Sequence, residues 1–114
     1  MTNAKFEPIA IVGRGCVLPE AANPDQLHDL IKHGRVCIGS PEPGSWRVEE
    51  QKILTPAGPF VADHMWSDVG GYIKDFSPRA SEPDQISTLD SVFRWTFEAA
   101  AQALGNQAEK EAGA

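Results

Sequence analysis

Between residues 37 and 83 the chain is so thickly punctuated by proline and glycine, in fragments such as SPEPGSW, TPAGP and SPRASEPD, that no long element can run through it. Long regular elements are therefore expected only at the two ends. An irregular stretch of this length is a functional loop or a strap draped over a larger body. Trp46, Phe60, Trp66, Tyr72 and Phe76 are spaced along it as candidate anchors, and VGGYI, residues 69–73, reads as a short strand.

At the amino-terminal end, residues 1–8 read as a leader. Ile9, Ala10, Ile11 and Val12 then form an apolar run without polar alternation, the pattern of a strand covered on both faces. Asn23, Pro24 and Gln26 signal a helix start: Asn caps, Pro suits the first helical position, and Gln can reach back to the cap amide. Leu27, Leu30 and Ile31 follow at the spacing of a buried face, and Gly34 supplies a left-handed stop, which gives a helix over residues 24–33.

At the other end, Ser87 and Asp90 read as a capping box. Leu89, Val92, Phe93, Phe97, Ala100 and Leu104 recur at helical spacing, and Gly105 reads as the stop. Trp95 and Ala99 lie off that stripe, so the helix is expected to bury more than one side. Residues 106–114 read as a tail or a truncated connection, and the chain holds no internal repeat.

With 114 residues there is room for one domain and a small core. A hydrophobic share of 41% and a charged share of 23% argue against wholesale disorder. The net charge is −6 and the ten Lys and Arg are scattered, so nothing would attract a nucleic-acid backbone. The apolar runs are far shorter than a bilayer needs, and no secretory leader opens the chain, which points to the cytoplasm.

The chemistry-bearing residues form no convincing constellation. Gly13 and Gly15 satisfy the first two positions of a dinucleotide fingerprint, but Leu18 occupies the third. Pro19 and the delay of the helix to Pro24 keep its amides from any phosphate held by the glycine turn. Cys16 and Cys37 lie 20 residues apart without a Cys-x-x-Cys or a histidine at ligand spacing, so both read as reduced structural thiols. His28 and His33 fall on different helix faces, and His64 sits in irregular chain. Glu49 with Glu50, and Glu82 with Asp84, are adjacent acids expected to be solvated rather than a general acid and base. Arg47 and Arg94, each beside a tryptophan, read as structural cations.

Taken together, IAIVGRGCVLPEAANPDQLHDLIKHGR resembles the opening of the β-ketoacyl synthase domains of polyketide synthases and polyunsaturated fatty acid synthases. There, an Ile-Ala-Ile-Val-Gly strand leads into Gly-Cys, a Pro, and a helix ending in Gly-Arg. Trp46 and Arg47 look like that family's Arg-Trp region in reversed order. Gly70, Gly71, Tyr72 and Phe76 resemble its Gly-Gly-Phe and Phe-Asp segment, and LDSVFRWTFEAAAQALG is similar to its helix with a Trp-Glu-Ala-Leu ending. His28 stands where the family has Trp, Ser91 follows Asp90 where it has Pro, and Gln-Gln-Arg is absent. These departures bring the match nearer to divergent synthases of the polyunsaturated fatty acid type, or to their chain-length-factor-like partners.

The resemblance implies an α/β fold: part of a thiolase-like fold with an N-terminal strand, a short helix, a long irregular segment and one long buried helix, residues 9–105. It implies decarboxylative condensation of acyl carrier protein thioesters in the full-length domain, by a Cys and two His that no position here matches. Hence no catalytic, cofactor-binding or metal-binding residue is carried over and no cofactor is expected. The expected partners are the remainder of the synthase domain or a second synthase subunit, with the acyl carrier protein in the parent enzyme. The alternative is a non-catalytic interaction module of a megasynthase.

Overall fold

The computed structural model describes residues 5–55, 58–79 and 82–112, with the side chains of the last helix described as far as Gly105. Parts of the expected leader, middle segment and tail lie outside that set. Among the described residues four helices occur, α1 (Pro24–Lys32), α2 (Glu50–Ile53), α3 (Asp84–Ser87) and α4 (Ser91–Ala112). The described residues form two compact units, one made of the amino-terminal segment through Cys16 with the chain from Pro78 onward, the other spanning Val17–Ser77.

In the second unit, α1 is specified by its ends. The Asn23 side chain accepts the Gln26 amide at 2.9 Å, and Gln26 Oε1 accepts the amide of Ala22 at 2.8 Å, one residue before the expected cap amide. Such a cap contributes about 1 kcal/mol. At the far end the Arg35 amide donates to Leu30 O at 3.0 Å and the Gly34 amide to Ile31 O at 3.1 Å. With Gly34 at φ +62°, this is a Schellman stop. Ahead of α1, Leu18 and Ala21 exchange backbone hydrogen bonds of 2.8 and 3.0 Å across Pro19 and Glu20. Pro followed by a residue at φ +59° is the order of a type II turn, and Glu20 holds the place that glycine usually fills.

Two further pairings tie down the irregular middle. Gly39 and Gly70 form an antiparallel bridge with bonds of 3.0 and 2.9 Å. Leu54 and Met65 form a parallel one. The strand expected over residues 69–73 is thus a single bridge at Gly70. Of the expected anchors, Trp46, Tyr72 and Phe76 are half-buried, whereas Phe60 and Trp66 are exposed.

In the first unit, the expected strand at residues 9–12 is irregular chain with no bridge partner among the described residues. Ile9 and Ile11 are 92% and 90% exposed, so nothing covers the faces that their apolar run was expected to bury. The α4 cap also differs from expectation. Asp90 alone caps, accepting the Val92 amide at 3.4 Å, while Ser87 Oγ donates to Asp84 O within α3. Gly105 does not end α4, which continues to Ala112; one glycine costs a helix only about 1 kcal/mol.

Most unlike the sequence reading is the side on which α4 packs. Its described buried residue is Glu98, at 2% exposure, with Arg94, Trp95, Ala99, Gln102 and Ala103 half-buried around it. At about 100° per residue, Phe93, Ala100 and Leu104 lie on the opposite side, and all three are exposed. Of the expected stripe only Phe97 is half-buried; the helix packs mainly through the side that carries Trp95, Glu98, Ala99 and Gln102, so the second side expected at Trp95 and Ala99 does pack.

Candidate functional site

The contact that sets this packing is made by glycine. A Cβ on Gly13 would overlap the carbonyl of Ala103, and one on Gly15 the carbonyl of Ala99. Two residues of extended chain advance about 6.6 Å and four residues of helix about 6 Å. Gly13 and Gly15 can therefore each meet a successive alanine carbonyl as the segment runs antiparallel to α4. Gln102 pins the register: its Oε1 accepts the Cys16 amide at 3.1 Å, and its Nε2 donates to Glu98 Oε1 at 3.3 Å. The Gly-x-Gly that opens like a nucleotide turn thus fits backbone to helix. Burial raises the Cys16 thiol above its ordinary value of 9.0, the opposite of what an activated nucleophile needs.

Cys37 lies in the second unit, in a cleft of about 260 Å³ whose lining includes Glu20, Gly39, Tyr72 and Lys74. Its thiol is pushed above 9.0 by a hydrogen bond to Glu20, then by burial and by the charge of Glu20, against a smaller lowering from Arg35. Glu20 also pairs with Arg35 at 2.9 Å, clasping the turn before α1 to the chain after it. Lys74 Nζ donates to Ser40 O at 3.1 Å across the Gly39 and Gly70 bridge. The cleft holds a protonated thiol, and no histidine lines it to take that proton.

A second cleft, about 230 Å³, is lined by Trp46, Arg47, Glu49 and Glu50 among others. Glu49 pairs with Lys52 at 3.2 Å on the surface. Glu50 Oε1 is buried without a hydrogen-bond partner, contrary to the solvated pair expected. Its charge, after burial and Asp68, helps raise the pKa of Tyr72, whose hydroxyl donates to Asp68 O at 2.6 Å.

The remaining candidates are structural. Glu82 is not solvated either: its side chain is 5% exposed and takes two bonds of 3.1 Å from Arg94. That hydrogen bond raises the Arg94 pKa, so Arg94 is a structural cation as read. His33 Nδ1 lies 2.8 Å from Asp29 O and His64 Nδ1 2.8 Å from Ala62 O, while His28 is exposed. Among the described residues, no three His, Cys, Asp or Glu side chains gather as metal ligands, and no helix is long and apolar enough to cross a membrane.

Glu98 and Gln102 were missed because the apolar stripe dominates the periodicity of residues 89–105. The available signal was Ala99 and Ala103, small residues one turn apart beside a polar pair at the same spacing, facing two glycines two apart.

The chain is similar to a mycocerosic acid synthase-like polyketide synthase of Mycolicibacterium smegmatis, 28% identical over 99% of this chain and 6% of that protein. The chain thus spans a small fraction of that relative's length. No solved structure matches it. Residues 6–111 match the N-terminal domain of β-ketoacyl synthases, covering the glycine segment, both clefts and most of α4. The chain belongs to that family.

Proposed function

We propose that this chain is the amino-terminal part of a β-ketoacyl synthase domain of polyketide or fatty acid assembly, with residues 9–105 as the body, 1–8 as a leader and 106–114 as a tail or truncated connection. It forms part of a thiolase-like domain and does not condense acyl thioesters by itself. The observation that carries the reading is the exposure both of the apolar side of α4 and of the run at residues 9–12, which has no bridge partner among the described residues. Covering a large apolar side chain is worth roughly 1.5–3 kcal/mol, so Ile9, Ile11, Phe93 and Leu104 strongly favour a covering surface. The remainder of the domain, or a second synthase subunit, supplies that surface in the cytoplasm, and the acyl carrier protein meets the assembled enzyme.

Decarboxylative condensation needs a thiolate nucleophile with histidine partners, and both thiols here are raised rather than lowered. Incubating the chain with an acyl thioester and reading intact mass is expected to leave Cys16 and Cys37 unmodified. Acylation of either at a rate above that of the unfolded chain would overturn the non-catalytic reading.

The exposure of Phe60 (76%) and Trp66 (66%) favours a second reading, a non-catalytic interaction module of a megasynthase that binds through its middle segment. A chain that stays monomeric at high concentration supports the module; a chain that self-associates through its exposed apolar side supports the part-domain.

A further inference from the structure

We draw no further inference here: the strongest candidate, the exposed apolar side of α4 at Phe93 and Leu104 with the exposed segment at Ile9 and Ile11, carries nothing beyond the proposed part-domain because nothing in the structure shows what covers it.

Discussion

Gln102 Oε1 accepts the backbone amide of Cys16 at 3.1 Å, and through that bond one helix side chain fixes the register of the Gly13–Cys16 segment on α4. Replacing Gln102 by Leu keeps the bulk but strands a partly buried N–H and removes the donor that reaches Glu98. An unsatisfied buried amide costs about 1–3 kcal/mol. Q102L is expected to destabilise the chain by that amount in urea titration and to accelerate hydrogen exchange at the Cys16 amide. Unchanged exchange there would show that the bond does not hold in solution.

Gly13 and Gly15 are predicted to be irreplaceable for a steric reason, not a conformational one. A methyl group at either would meet backbone, which cannot swing aside as a side chain can. Overpacking of this kind typically costs about 1–3 kcal/mol. G13A and G15A should each lose stability on that scale, whereas G39A, with open space around its Cβ position, should stay within about 0.5 kcal/mol. Equal effects at all three positions would contradict the close approach.

The Glu20 hydrogen bond gives the chain a pH dependence of definite sign. Folded Cys37 keeps its proton to higher pH than the unfolded thiol, which titrates near its ordinary 9.0. Its contribution is therefore whole below that pH and is lost as pH climbs through the raised folded value. Burial of Cys16 acts in the same direction. Stability followed by denaturant from pH 7 to 10 should fall with rising pH, and C37S should flatten the slope. E20Q, which removes both the charge and the carboxylate acceptor, should bring the alkylation rate of Cys37 at pH 8.5 closer to that of the unfolded chain.

Local signals carried much of this fold. Asn23, Pro24 and Gly34 place both ends of α1 because caps and stops act within a few residues. The fate of residues 9–12 was not legible in the same way: an apolar run states a need for partners but cannot name them. Periodicity found the long helix yet misjudged its packed side, since apolar spacing does not register the approach of Gly13, Gly15 and Cys16 that turns Ala99, Gln102 and Ala103 inward. The clefts escaped notice because Glu20, Cys37 and Tyr72 meet only through turns and single bridges. Glu82 was misread as solvated because Arg94, its partner, lies twelve residues on.

The exposed side of α4 yields the prediction that bears most directly on function. Phe93 and Leu104 are 53% and 66% exposed, so polar replacements there remove few contacts within the chain itself. F93S with L104S should leave its denaturation midpoint nearly unchanged and reduce its tendency to aggregate. In a full-length condensing domain that contains this chain, the same pair would put two polar groups against an apolar surface and remove two large buried side chains, each worth about 3 kcal/mol or more on truncation. The doubly substituted domain is expected to lose soluble yield and condensation activity together, while G39A retains both. Full activity of the F93S/L104S domain would mean that this side of α4 faces solvent in the assembled enzyme, and the proposed role of the chain as a part-domain covered by the rest of the synthase would fall with it.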